Sequence, residues 1–279
     1  MAMLTPATVQ ALLDEHRISP KKSLGQHFLA DPNTARRIVA LADVAPHDLV
    51  VEIGPGIGSL TLALLDAGAA VLAVELDAKL ASVLDAVLED AGLRAEITIA
   101  DALDVDWSSL LADRGPWACV SNLPYNVAVP VVVRVLEEAP GVDRLLVMVQ
   151  REVGERLAAG PGDEQYGAVS VKVAYYSEAA VVGVVPPTVF VPRPKVDSVL
   201  VQMRRRASPP VTVPSEAELF TLVRAGFAQR RKMLRRALAP VLGDRAEAVL
   251  TGAGVEPTAR AEVLGLEQWA AVARSAAAA

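Results

Sequence analysis

Short runs of Val, Ile, Leu and Ala alternate along the chain with longer amphipathic stretches. LVVEI (49–53), AVLAVEL (70–76), AEITIA (95–100), WACVSNL (117–123) and RLLVMVQ (144–150) are nearly continuous apolar runs of strand length, the pattern of strands buried on both faces. Between them, residues 59–67 and 78–91 carry helical periodicity, and each stretch is closed by a glycine, Gly68 or Gly92. This alternation predicts an α/β fold, a mainly parallel, doubly wound sheet covered by helices. SVKVAYY (170–176), AAVVGVV (179–185) and DSVLVQM (197–203) follow without intervening helices, so the sheet is expected to finish with antiparallel strands. RRRASPPVTVP after Met203 is a polar, proline-rich linker, and from Ser215 the pattern is helical to the alanine-rich end. Ser215 and Glu218 have the spacing of a capping box opening that region. The expected organisation is a sheet domain over 1–205 and a small all-helical domain over 206–279.

Composition narrows the function classes. A length of 279 residues suits two domains of roughly 100–200 residues. One cysteine forms no internal disulfide. Cys119 sits inside an apolar run and reads as a small buried hydrophobe, and His16, His27 and His47 are too scattered for a zinc site, so no metal is expected. No apolar run approaches the ~20 residues of a membrane span, and no targeting segment is evident, so a cytoplasmic protein without a membrane partner is expected. The net charge of −6 hides a polarity: between Arg193 and Arg236 eleven Lys/Arg face three acids, +8, against −14 for the rest. A basic face for a polyanion on an otherwise acidic body follows from that distribution.

Three strand ends carry candidate chemistry. Glu52-Ile-Gly54-Pro-Gly56-Ile-Gly58 leaves the first strand and opens a helix; its glycines permit a tight turn and close approach of a ligand to the backbone. Glu75, at the tip of the second strand, is placed to accept hydrogen bonds from the two hydroxyls of an adenosine ribose. The GxGxG spacing, with Ser59 where a dinucleotide fingerprint needs glycine, favours S-adenosylmethionine over NAD. Asp101, after the third strand, is in register to accept from an adenine amine, its alternative being a turn acid. Asn122-Leu123-Pro124-Tyr125, after the fourth, is the most specific element. Adenine N6 is a poor nucleophile because its lone pair is delocalised into the ring. The Asn122 side-chain oxygen and the Leu123 carbonyl can accept its two N–H groups and turn the lone pair toward a sulfonium methyl. Tyr125 offers a stacking face for an extruded base. The methyl donor is already activated, so no strong base is needed.

With GPGIGSLT, Glu75, Asp101 and NLPY in order, preceded by KKSLGQHFL (21–29) and followed by FVPRPKVDS (190–198) and FAQRRKMLRRAL (227–238), the chain resembles the ribosomal RNA adenine N6-dimethyltransferases, most of all the bacterial branch acting on small-subunit (16S) rRNA. The resemblance runs from residue 16 to about 240. It implies a Rossmann-like, class I S-adenosylmethionine-dependent methyltransferase sheet with a helical rRNA-binding domain, dimethylating two adjacent adenosines near the 3′ end of 16S rRNA in 30S assembly particles, as a monomer with a role in ribosome biogenesis. It implies cofactor contacts from Gln26, His27, Leu29, Gly54, Gly56, Gly58, Glu75, Leu76, Asp101, Ala102 and Asn122. Catalytic positions follow at Asn122, Leu123, Pro124, Tyr125 and Phe190, with Phe190 the aromatic face opposite Tyr125. Gln229, Arg230, Arg231, Lys232 and Arg235 match the family's basic helix and would contact rRNA phosphates. The chain departs from the family pattern in NVAVP after NLPY and in His27, where many members carry Asn.

Three other readings make different demands. A large-subunit rRNA adenine methyltransferase of the antibiotic-resistance type shares most motifs and differs in substrate. An NAD-dependent oxidoreductase needs a hydride-transfer acid/base pair that NLPY does not supply. A non-catalytic RNA- or DNA-binding assembly or transcription factor has no need of Glu75, Asp101 and Asn122.

Overall fold

Among the described residues, nine strands, most of them Val-, Leu- and Ala-rich, lie almost wholly in the first of two units. The computed structural model describes residues 3–20, 25–111 and 114–279, which divide into Met1–Gly154 with Ala179–Arg205, and Glu155–Glu178 with Arg206–Ala279. The strands are β1 (Phe28–Leu29), β2 (Leu49–Ile53), β3 (Ala70–Glu75), β4 (Glu96–Ile99), β5 (Trp117–Asn122), β6 (Val142–Gln150), β7 (Ser177–Val185), β8 (Phe190–Val191) and β9 (Ser198–Arg205). Seven form one sheet in the order β4-β3-β2-β5-β6-β9-β7. Pairings among β2 to β6 are parallel, and β9 runs antiparallel to β6. The order reverses between β2 and β5, and the crevice beyond the carboxyl ends at such a switch is where open α/β sheets bind ligands.

Alternation within the strands divides the core. Val50, Ala118, Val120, Leu146, Met148 and Leu200 lie in one buried cluster with Ile38 and Leu64 of the helices Pro32–Leu41 and Ser59–Asp66. Asp31 caps the first of these, accepting from the Thr34 N–H at 2.8 Å, with proline at the first helical position. A further cluster joins Val9 and Leu13 of the helix Pro6–Glu15 to Leu80, Leu84 and Leu88 of the helix Ala78–Asp90. β1 and β8 form a separate two-stranded sheet, Leu29 opposite Phe190. This pairing fixes the segment before the first sheet strand and has no periodic signal in the sequence.

The second unit is helical, packed around Leu219, Val223, Leu238, Val249, Leu250 and Trp269. Ser215 opens the helix Glu216–Ala228, accepting from the Glu218 N–H. SVKVAYY, expected as a strand, is instead part of the helix Ala168–Tyr176. Its buried residues Val171, Val173 and Tyr175 satisfy a period of two, but Val171 and Tyr175 are also one helical turn apart. Burial of both in the helical core decides between the two patterns. Residues Glu155–Glu178 thus belong with the C-terminal helices, ahead of the boundary expected near residue 205.

One cation of the basic tract has a structural task. Arg205 donates to the carbonyls of Val135, Leu136, Ala139 and Val142 at 2.6–3.1 Å, satisfying the open carboxyl end of the helix Ala128–Glu138. Arg205→Ala is expected to destabilise the protein by roughly 2–4 kcal/mol, since hydrogen bonds from a charged donor are worth about 1.5–3 kcal/mol, although the Val135 and Ala139 carbonyls keep their backbone donors, the N–H groups of Ala139 and Val142. Denaturant unfolding checks this, and an unchanged midpoint would contradict the role.

Candidate active site

The glycine loop after β2 needs its glycines because Gly54, Gly56 and Gly58 all have positive φ, 70°, 60° and 94°. A Cβ at Gly54 would stand 3.2 Å from the Pro124 ring, and one at Gly56 3.0 Å from the Phe28 ring. The loop therefore runs against the NLPY turn on one side and the β1 segment on the other. Glu75 ends β3 beside it. Its carboxylate accepts from the Gly56 N–H at 3.1 Å through one oxygen and from the Asp77 N–H at 3.0 Å through the other. A carboxylate has about four acceptor directions, so one on each oxygen is left for a ligand. Burial raises the Glu75 pKa above the ordinary carboxylate value, the Asp77 charge adds to that rise, and the backbone N–H groups of Asp77, Gly56 and Leu76 oppose it.

Asn122 ends β5, and its Nδ2 donates to the His27 carbonyl at 3.1 Å. A carbonyl only accepts, so the amide nitrogen faces His27 and Oδ1 faces away from it. The same reasoning fixes His27: its Nδ1 lies 2.7 Å from the Pro192 carbonyl and carries the proton. The His27 and Tyr125 rings pack with centroids 5.2 Å apart, and a Cβ on Gly25 would lie 2.9 Å from the Tyr125 nitrogen. Residues 25–29 are thus laid closely over the exit of β5.

These pieces enclose a cleft of about 860 Å³, part of it open to solvent. Gln26, His27, Leu29, Gly54, Gly56, Glu75, Leu76, Asn122, Leu123, Pro124 and Tyr125, all expected from the sequence, line it. Four expected residues do not. Gly58 caps the helix Ser59–Asp66, where a Cβ would meet Leu84 at 2.6 Å. Asp101 accepts from the Leu103 N–H at 2.9 Å through Oδ1. Ala102 is buried with its carbonyl accepting from Trp107. Phe190 is paired with Leu29 and 4% exposed in the core, so the ring packed on Tyr125 is that of His27. Residues 21–24 of KKSLGQHFL lie outside the described residues. Missed by sequence reasoning was Glu52, a cleft-lining carboxyl within the glycine motif itself; its place at the end of an otherwise apolar strand was the available signal. Among the described residues no group of His, Cys, Asp and Glu could hold a metal ion, and no helix is long and apolar enough to cross a membrane.

Residues 17–278 match the family described as ribosomal RNA adenine dimethylase. The chain belongs to that family. It is 50% identical over 277 residues to the ribosomal RNA small subunit methyltransferase A of Thermobifida fusca (strain YX), covering 97% of this chain and 95% of that protein. It is likewise 50% identical to the same-named protein of Streptomyces coelicolor, covering 98% and 96%. Among solved structures it is similar to the 23S rRNA methyltransferase ErmE, with a TM-score of 0.66, 28% identity and 89% and 98% of the two chains covered. A dimethyladenosine transferase from Plasmodium falciparum shares the fold, with a TM-score of 0.72 at 24% identity and coverage of 88% and 96%.

In this dimethylase the basic tract of the second unit is not a continuous helix. The helix Glu216–Ala228 ends before Gln229, residues 229–233 turn, and a short helix resumes at Leu234. Arg230 is committed within the unit, donating to Glu262 at 3.0 Å and to the Glu164 carbonyl at 2.6 Å, and Arg235 lies 3.6 Å from Glu247. Arg231 and Lys232 are exposed.

Glu52 gives the site a pH signature. Its carboxyl accepts from Thr61 at 2.6 Å and is pushed up from 4.5 to about 8, mainly by burial, with Glu75 adding repulsion and the Thr61 bond opposing. In the folded protein it holds a proton that the unfolded chain loses near pH 4.5. Its contribution to stability is complete below that pH and is lost as pH rises through about 8. Melting curves should show the wild type losing ground to Glu52→Gln across that window, with parallel profiles above it.

Proposed function

We propose that this dimethylase transfers methyl groups from S-adenosylmethionine to N6 of two adjacent adenosines near the 3′ end of small-subunit rRNA, acting in the cytoplasm as a monomer on 30S assembly particles. The observation that carries the chemistry is the Asn122 amide, held by the His27 carbonyl so that Oδ1 is the end left for a substrate. The 50% identity to small-subunit methyltransferases, against 28% to the 23S enzyme, supports the choice of subunit.

The cleft fits the cofactor. Gly54 and Gly56 carry no Cβ to hold a ligand off the loop, the unused acceptor directions of Glu75 suit two ribose hydroxyls, and Leu76, 55% exposed, offers an apolar surface to adenine. Gln26, His27 and Leu29 lie at the methionine end. When bound, S-adenosylmethionine supplies an electrophilic methyl on a cationic sulfur. Asn122 Oδ1 and the Leu123 carbonyl accept the two N6 hydrogens and turn the nitrogen lone pair out of conjugation, an alignment contribution to the rate. Tyr125 stacks on the extruded base. The N6 proton becomes acidic only once the nitrogen is methylated, so water suffices to remove it.

Transfer of labelled methyl to unmethylated 30S subunits, with naked large-subunit rRNA in parallel, tests the function. Label in N6,N6-dimethyladenosine from 30S alone is expected; label only in large-subunit RNA would move the enzyme to the other substrate class. In the same assay Asn122→Ala should lower turnover about 10²–10³-fold, and Glu75→Ala should weaken S-adenosylmethionine binding roughly 10–100-fold, the worth of hydrogen bonds to a charged acceptor. Wild-type turnover by Asn122→Ala would refute the carbonyl role.

RNA affinity should fall steeply with salt. Replacing Arg231 and Lys232 together by alanine should reduce the slope of log K against log salt by about 0.7–0.9 per charge. An unchanged slope would place the phosphate contacts elsewhere.

A further inference from the structure

We propose that Ser198 is a positioning residue for methyl transfer, its buried hydroxyl holding the Tyr125 ring in the orientation that receives the target adenine. The proposal rests on the reading of Tyr125 as the stacking face. The Tyr125 and Ser198 hydroxyls share a hydrogen bond at 2.6 Å. Ser198 is 0% exposed and opens β9 opposite Gln150 of β6. The preceding residue is held as well: the Asp197 carbonyl accepts from the Arg151 N–H, and its carboxylate pairs with the Arg151 guanidinium at 2.6 Å. The backbone that carries Ser198 Oγ is therefore held in place.

A tyrosine ring attached at its backbone end is free to swing about χ1. Pinned also at its hydroxyl, it retains only rotation about its long axis, and the His27 ring at 5.2 Å blocks that on one side. His27 is itself held by the Pro192 carbonyl. Both restraints on Tyr125 come from one short stretch of chain: the direct one from Ser198, the first residue of β9, and the one through His27 from Pro192, just after β8. FVPRPKVDS thus acts on the transfer site although Phe190, its aromatic residue, is committed to the core. Burial raises the Tyr125 phenol above its ordinary pKa while the Ser198 bond lowers it, so the pair is neutral and the restraint does not titrate near pH 7.

The test is a double-mutant cycle on the full chain, reading single-turnover methylation of 30S subunits, the Kd for S-adenosylmethionine, and Tm. Ser198→Ala and Tyr125→Phe are each expected to slow methylation about fivefold, the equivalent of one neutral hydrogen bond, with the cofactor Kd unchanged. The double variant should be no slower than the slower single, because each substitution removes the same bond. Independent, merely structural effects would multiply to about 25-fold and overturn the proposal. If Ser198→Ala does not fold, Tyr125→Phe still decides, since it removes only the phenolic oxygen; a wild-type rate overturns the clamp. Tyr125→Ala separates the two levels. A wild-type rate there would overturn the stacking reading and the proposal with it. A slowed Tyr125→Ala beside wild-type Ser198→Ala and Tyr125→Phe would overturn the positioning role alone.

Discussion

The hydrogen bond from Asn122 Nδ2 to the His27 carbonyl is the link on which the site depends. Asn122 is delivered by the sheet, at the end of β5. His27 is delivered by a segment outside the sheet, held by the β1–β8 pairing, by Ser59 donating to the Leu29 carbonyl and by the Pro192 contact. The bond joins the two, and in doing so assigns the amide its orientation. Asparagine can present either a donor or an acceptor to a substrate, and the neighbouring carbonyl leaves the acceptor. Geometry at the proposed transfer site is thus set by a backbone group 95 residues away in sequence.

Much of this was legible in the chain. The strand runs of the parallel sheet, the glycine loop, Glu75 and the NLPY turn are local signals: apolar runs of strand length, positive-φ glycines, and residues at strand exits. What failed to show was set by tertiary partners. SVKVAYY fits both periods, and only the helical core around Trp269 chose one. Phe190 carries a motif position, yet strand pairing turns it inward. Glu52 was visible as a residue, but its burial and its bond to Thr61 arise only when β2 meets the following helix.

The basic tract shows the same limit in electrostatic terms. Eleven cations between Arg193 and Arg236 give a net charge but not a division of labour. Arg205 closes a helix end, Arg206 bonds the Ala174 carbonyl and Glu178, and Arg230 bonds Glu262 and the Glu164 carbonyl. Those guanidiniums would have to break internal bonds to neutralise a phosphate. Arg231, Lys232 and Arg236 are exposed, and no ion pair is recorded for them among the described residues, so the local field for RNA comes from fewer charges than the count suggests.

The cleft also explains why an amide, rather than a carboxylate, stands at position 122. A carboxylate is the stronger acceptor of an N–H bond, but within the same cleft burial lifts Glu52 to about 8 and raises Glu75 despite its backbone donors. A carboxyl at the half-buried exit of β5 that took up a proton would set a hydroxyl donor beside its remaining acceptor, where the substrate amine needs acceptors alone. Asparagine has no such failure. Its oxygen accepts at every pH at which the fold survives, and its nitrogen has a use in holding the His27 segment. On the proposed function, the acids gather where a ribose can share them, and the neutral acceptor stands where the amine must be turned.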